Sequence, residues 1–320
     1  MIDLSDVRDA MRAIEGEVKR TPLVRSAYLS EFCRGEVYLK LENQQTTNSF
    51  KIRGALARMK HLNAKELGLG VVTASAGNHA QAVAICADKL LSHATIVVPV
   101  TTPKIKIEKI KRKNVELIQH GDLYDDAEKF ARQLAKERDL TFISPYNDPV
   151  VAAGQGTIGL EIMEDCPNVD SIIVPVGGGG LIAGIGTAAK NLRSIVELLG
   201  VQPYAAAAMY HSLTAGKIVD VEMRDTIADG LSGNIEKGSV TFEIIQRYVD
   251  EILLFDEDTI KKSVRLLWKR EHQVAEGSGA IAIAPIISTP SRFAGKRTVS
   301  IITGGNIDED VFEKILSAAE

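Results

Sequence analysis

Short β-branched runs recur along the chain, each followed by a longer stretch whose apolar residues return every three or four positions. That alternation predicts βαβ units around a mostly parallel sheet. Nine runs read as strands: 36–42, 70–74, 93–99, 115–119, 141–145, 171–176, 200–202, 251–255 and 298–303. The run 171–176 shows no alternation of apolar and polar residues and is expected to be buried on both faces. The basic run 104–113 is expected to form a surface helix with its isoleucines turned inward, since no aromatics interleave it for stacking on bases. Nine such units exceed one nucleotide-binding domain, and a chain of 320 residues usually divides into more than one core, so two lobes are expected.

Composition narrows the chemistry. With 45% hydrophobic and 25% charged residues the chain has ample material for a core. A net charge of −4 provides no global field to attract nucleic acid or an anionic membrane, which leaves small molecules as the expected partners. No apolar run approaches the roughly 18 residues of a membrane span, and the N-terminal segment reads as an amphipathic helix without a signal-peptide core. Cys33, Cys86 and Cys166 are far apart and in no C-x-x-C pair, so neither a disulfide framework nor a zinc site is suggested and a reducing cytoplasm is the expected location.

The strand ending at Val176 runs into Gly177, Gly178, Gly179 and Gly180 and then into a helix of small residues. Four glycines in succession exceed what a tight turn needs, and each costs backbone entropy on ordering. A strand, glycine loop and helix N-terminus converge free N–H groups and the positive end of the helix dipole on one point, which suits a phosphate. The dinucleotide pattern G-x-G-x-x-A does occur, as Gly184, Gly186 and Ala189, but well inside the helix. The next strand lacks the acid that grips a ribose, and no P-loop is present, so a compact phosphorylated ligand is expected instead.

A second turn, Ser75-Ala76-Gly77-Asn78-His79, follows the strand 70–74. Ser75 can cap the helix after it, and the N–H groups there suit a carboxylate; a plain N-cap explains the segment equally well. Thr303-Gly304-Gly305-Asn306 repeats the design after the last strand. Three such turns point to one crevice at the carboxyl edge of parallel strands, where open α/β sheets hold ligands.

Lys51 stands in Thr46-Thr47-Asn48-Ser49-Phe50-Lys51-Ile52-Arg53-Gly54-Ala55, just after the first of these strands. A lysine is ordinarily a solvated surface charge, and a catalytic one needs a lowered pKa. An adjacent aromatic, a helix N-terminus and the phosphate-suited turns favour the catalytic reading. An amine, an aromatic and a phosphate cup together suggest pyridoxal 5'-phosphate.

With these residues in view, the chain resembles the fold type II pyridoxal-phosphate enzymes, specifically the threonine/serine dehydratase (threonine ammonia-lyase) and serine racemase family, over nearly its whole length. The resemblance rests on Thr21-Pro22-Leu23, Lys40-Leu41-Glu42, Ser49 to Ala55, Ser75 to Gln81, Gly177 to Gly180, Glu276-Gly277-Ser278-Gly279-Ala280 and Thr303 to Asn306, in that order. It implies a two-domain α/β fold of the tryptophan synthase β type, with open, mostly parallel twisted sheets and helices on both faces. Residues 46–144 would form a small mobile domain carrying the substrate-carboxylate loop, and 1–45 with 145–320 the large cofactor-binding domain.

The resemblance further implies that Lys51 holds the cofactor as a Schiff base, with Phe50 against its ring and Asn78 on the ring hydroxyl. Gly177, Gly178, Gly179 and Gly180, with Leu181, would hold the phosphate, and Thr303 would meet the pyridine nitrogen without fully protonating it. Ser75, Ala76, Gly77, Asn78 and His79 would receive the substrate carboxylate. Ser75 and Glu276 would join Lys51 as catalytic groups, Glu276 near the substrate hydroxyl. The implied activity is β-elimination from a 3-hydroxy amino acid: L-threonine to 2-oxobutanoate and ammonia, L-serine to pyruvate and ammonia, or both. Relatives are commonly dimers or tetramers, which implies a homodimer or homotetramer here.

Four departures refine that picture. Racemases of the group use a serine where this chain has Ala76, and a methyl cannot carry a proton, which favours elimination over racemisation. The segment Gln202-Pro203-Tyr204-Ala205-Ala206 lacks the acidic residues with which some relatives bind a divalent cation, so no metal is expected. Asp229 to Ile235 and Glu276-Gly277 differ from the commoner dehydratase forms, which keeps hydroxyaspartate, phenylserine and a hydroxyectoine catabolite open as substrates. The sequence ends one helix after Thr303, so feedback control by isoleucine through a C-terminal regulatory domain is not expected.

Overall fold

A computed structural model describes residues 1–111 and 114–318. Its strands are β1 (Leu23–Ser26), β2 (Glu36–Leu41), β3 (Val71–Ala74), β4 (Ala94–Val98), β5 (Glu116–Gln119), β6 (Thr141–Phe142), β7 (Ser171–Pro175), β8 (Glu197–Pro203), β9 (Glu251–Phe255) and β10 (Arg297–Ile302). They form a six-stranded sheet in the order β1-β2-β10-β7-β8-β9 and a four-stranded sheet in the order β5-β4-β3-β6. All pairings are parallel except β1 with β2.

Every residue of β3, β4 and β7 is buried, as continuous apolar runs covered by helices on both faces must be. β1 was not expected from sequence. It is four residues long, and two of them, Val24 and Arg25, face solvent at the sheet edge, so it carries almost no apolar signal. β8 is longer than the run 200–202 because Glu197, Leu198 and Leu199 also pair with β7 or β9. The basic helix spans Lys104–Lys111 with Ile110 buried as expected; Arg112 and Lys113, and the side chains of Ile105 and Lys109, lie outside the described residues.

Each sheet has one point where the strand order reverses. In the four-stranded sheet the chain leaves β3 for β4 on one side and returns as β6 on the other. In the six-stranded sheet it leaves β7 for β8 and returns as β10 on the opposite side of β7. Adjacent loops diverge at such points and open a crevice beyond the strand C-termini. The two crevices are bridged by three helices, Lys51–Lys60, Pro149–Asp165 and Gly180–Leu192, which pack through small residues. Gly184 lies so near Gly156 that a Cβ on it would overlap the Ala152 carbonyl, and Gly154 abuts Gly54. The G-x-G-x-x-A pattern is therefore part of a close helix crossing. No helix among the described residues is long and apolar enough to cross a membrane.

Candidate active site

The crevices meet in a cavity of about 730 Å³. Its walls come from the loops after β3 (Ser75 to His79), β6 (Pro145, Tyr146), β7 (Gly177 to Leu181) and β10 (Thr303, Asn306), with Phe50 and Lys51 entering from the loop after β2. Phe50, Lys51, Ser75 to His79, Gly177 to Leu181, Glu276 and Thr303, the candidate site residues from sequence, thus line one cavity.

Backbone bonds hold the loop before Lys51 to the end of β10. Phe50 N donates to Thr303 O at 3.1 Å, Gly305 N donates to Asn48 O at 2.9 Å, and Ser49 bridges Gly304. Lys51 is then the first residue of its helix, and its Nζ donates to Pro145 O at 3.0 Å and stands 5.1 Å from the Phe50 ring centroid. Burial pulls the ammonium pKa from 10.5 down to about 8, against the opposing charge of Glu276. Near neutral pH this amine releases its proton far more readily than a surface lysine.

Glu276 is 8% exposed and accepts from Asn78 Nδ2 at 2.7 Å. Asn306 fixes which way Asn78 points, because its Nδ2 donates to Asn78 Oδ1 at 2.7 Å and to Thr47 O at 2.9 Å. Burial, and then the charge of Asp229, push the Glu276 carboxyl from 4.5 up to about 7. Lys51 and Glu276 are thus a base and an acid whose pKa values have been driven toward each other, a common property of groups that exchange protons with a substrate.

The loop after β3 differs in detail from the sequence expectation. The helix Asn78–Lys89 is capped by Gly77, with no side-chain cap, and Ser75 Oγ instead accepts from Gly77 N at 3.2 Å. The first-turn N–H groups of this helix are therefore left to a ligand. The His79 ring turns away into the core, where its Nε2 donates to Ile143 O at 3.0 Å and its Nδ1 has no partner among the described residues. Burial, with the nearby Lys51 charge, lowers its pKa to about 3, so the ring is neutral.

The helix Gly180–Leu192 also starts without a side-chain cap, at Gly179 with φ +89°. The glycine run has a second cause besides an anion. Any Cβ on Gly178 would overlap the Tyr146 ring, one on Gly180 would press on Tyr146, and one on Gly179 would overlap Ile245. Tyr146 escaped the sequence reading, as did Lys106, and both line the cavity. The signal for Tyr146 was its place directly after the run 141–145, of which only Thr141–Phe142 forms a strand, opposite glycines that leave room for a ring.

A half-buried amine at a helix start, two uncapped helix N-termini and a neutralisable carboxyl around one cavity suit a phosphorylated aldehyde cofactor and an amino acid. Lys51 is that amine, Gly180 opens one of the uncapped helices, and Thr303 adds a buried hydroxyl at the end of β10. This donor set defines the molecule as an α/β enzyme of the pyridoxal-phosphate type.

Comparison with known proteins agrees. The family model described as pyridoxal-phosphate dependent enzyme matches residues 14–304, and the chain belongs to that family. It is 43% identical over 317 residues to the L-threonine ammonia-lyase of Thermotoga maritima, covering 99% of this chain and 79% of that one. It is 41% identical over 309 residues to the catabolic L-threonine dehydratase TdcB of Escherichia coli, covering 96% and 94%. Among solved structures, the processed form of threonine deaminase isoform 2 from Solanum lycopersicum superposes with a TM-score of 0.92 at 35% identity, covering 97% and 86%. Maize serine racemase superposes with a TM-score of 0.91 at 32% identity, covering 98% and 96%.

Proposed function

We propose that this chain releases ammonia from L-threonine, L-serine or both, by dehydration followed by hydrolysis, giving 2-oxobutanoate or pyruvate. The observation that carries the reading is the half-buried Lys51 amine, poised near pH 8 in the wall of the cavity, in a chain similar to named threonine ammonia-lyases along nearly all its length. When bound, pyridoxal phosphate supplies a ring that accepts the electron pair left at the substrate α-carbon.

The residues then divide the work. Lys51 would hold the cofactor with Phe50 beside it, the uncapped helix N–H groups from Gly177 to Leu181 would take its phosphate, and Asn78 and Thr303 would hydrogen-bond its ring. The N–H groups from Ser75 to His79 bind the substrate carboxylate, and Ser75 Oγ lies beside them. Lys51 takes the proton as the Cα–H bond breaks. As the Cβ–O bond breaks, Glu276, held near half-protonation at neutral pH, gives its proton to the departing hydroxyl, which leaves as water. Hydrolysis of the unsaturated amine returns that water and frees ammonia. Residues 46–144 act as the smaller unit that closes on substrate, against a larger unit of residues 1–45 and 145–320.

The resemblance to serine racemases favours a second reading, inversion at Cα, and Ala76 in the cavity wall opposes it because a methyl offers no proton to the second face. The test is the visible spectrum of purified protein with pyridoxal phosphate, before and after borohydride, beside Lys51→Ala. The expected result is a cofactor band fixed covalently in the parent and absent from the variant, with oxo-acid release from threonine or serine and no D-isomer. A parent without that band, or a variant that keeps it, overturns the reading.

A further inference from the structure

Two charged groups in the cavity wall have no part in the roles above. Lys106 lies on the helix Lys104–Lys111, between β4 and β5, and Asp229 opens the short turn Asp229–Leu231, between β8 and β9. They belong to opposite sides of the cavity, one from the four-stranded and one from the six-stranded half. Their side chains meet, Nζ to Oδ2, at 2.7 Å, with 29% and 61% of each exposed.

The turn that carries Asp229 is fastened next to Glu276: Gly230 N donates to Ser278 Oγ at 2.9 Å, and Gly277 abuts Ile227 and Ala228. Among the described residues, the neutral Asn78 bonds the Glu276 carboxyl, and the charges of Asp229, Lys106 and Lys51 act on it. Lys106 in turn feels the charges of Asp229, Asp308 and Glu276, and the neutral His79 that of Lys51. Asp229 and Lys106 act on Glu276 with opposite signs: the carboxylate makes a second negative charge nearby harder to form, and the ammonium makes it easier. Because the two are bonded to each other, neither acts at full strength, and what Glu276 feels is the difference.

We propose that the Lys106–Asp229 pair is a positioning device for the elimination, a clasp over the cavity whose balanced charges set the protonation state of Glu276. The proposal rests on the dehydratase reading for its purpose, since Glu276 needs its proton only if a hydroxyl must leave. It makes Lys106 and Asp229 positioning residues that act through Glu276. A clasp of purely mechanical purpose makes a different forecast: cutting it from either side does the same thing. A charge-setting pair answers with opposite signs.

The test titrates the Glu276 carboxyl in the holoenzyme by ¹³C NMR of glutamate-labelled protein, with Glu276→Gln identifying the resonance. Lys106→Met leaves Asp229 unopposed, and the midpoint is expected to rise by about half a unit or more. Asp229→Asn leaves Lys106 unopposed, and the midpoint is expected to fall. The double variant falls between Asp229→Asn and the parent, because the Asp229 effect is the larger of the two, and Lys106→Arg, which keeps the charge, stays close to the parent. The limb of the kcat/KM profile that reports Glu276 moves in the same directions. Two single variants that shift the titration the same way, or not at all, overturn the proposal. The resonance is read without turnover, so a chain lacking dehydratase activity still answers for the pair, whereas a missing borohydride-fixed band tells only against the proposed reaction.

Discussion

At the scale of single residues, the acid and the base of this site are made by burial more than by any one neighbour, and that has a consequence for stability. The Glu276 carboxyl sits near 7 in the folded chain against an ordinary 4.5. Between those values the folded chain holds a proton that the unfolded chain has lost, so this group's favourable contribution is complete below about 4.5 and disappears as pH rises through 7. Glu276→Gln, which cannot ionise, is therefore expected to match the parent in urea unfolding near pH 5. Near pH 8 it gains up to about 3 kcal/mol over the parent, while its turnover drops by about a hundredfold or more. A variant that loses turnover without this pH-dependent gain would show that the fold does not raise the Glu276 pKa. Lys51 shifts in the complementary direction, and the rate at which apoprotein captures pyridoxal phosphate, followed by absorbance, is expected to climb through about pH 8 instead of near 10.5. Lys51, Asn78 and Glu276 were legible because their neighbours form ordered motifs. Tyr146 and Lys106 have partners far away in sequence, at Gly178 and Asp229, and a linear pattern carries no record of such pairings.

At the scale of elements, strands buried on both faces announce themselves and edges do not. β3, β4 and β7 are continuous apolar runs, whereas β1 reads as loop until it is seen paired, Val24 to Leu39, along β2. The helices were legible as helices, but the reason for their glycines was not. Gly184 resembles part of a nucleotide fingerprint and is in fact where two helices touch, with the Ala152 carbonyl in the place a methyl would occupy. Gly184→Ala is expected to cost about 1–3 kcal/mol through overpacking, with loss of bound cofactor because the same helix begins at the glycine loop. Gly68, in the helix Ala64–Leu69, has open space around it, and Gly68→Ala is expected to raise stability by up to about 1 kcal/mol. Thermal unfolding of the two holoenzymes measures both. Equal effects at the two glycines would mean that helix propensity alone, not the crossing, governs Gly184.

At the scale of the whole molecule, the site depends on holding Lys51 between two sheets, and the fastening is a cluster of charges with no access to water. Arg53, two residues after Lys51, donates from Nε and Nη2 to Glu42 at 2.9 and 2.8 Å, and from Nη1 to Glu161 at 2.6 Å. Lys40 donates to Glu161 at 2.5 Å and to Thr21 O at 2.7 Å. The four side chains are between 0% and 3% exposed. They tie the end of β2 and the helix Pro149–Asp165 to the first turn of the helix that carries Lys51. Two cations and two anions balance, and the many hydrogen bonds offset the cost of taking ions out of water. The cluster therefore adds little net stability while it is whole, yet breaking one member strands its partners as bare buried charges. Arg53→Met is expected to cost about 3–5 kcal/mol, because it leaves Glu42 with only the Thr21 hydroxyl and Glu161 dependent on Lys40 alone. Glu161→Gln alone strands Lys40 and half of Arg53 and is expected to cost a similar amount. If the cluster acts as a unit, the double variant loses clearly less than the sum of the two, by about 1 kcal/mol or more. Strict additivity in the unfolding midpoints would mean that the four charges are independent neighbours, and that the position of Lys51 is set by the helix crossing alone.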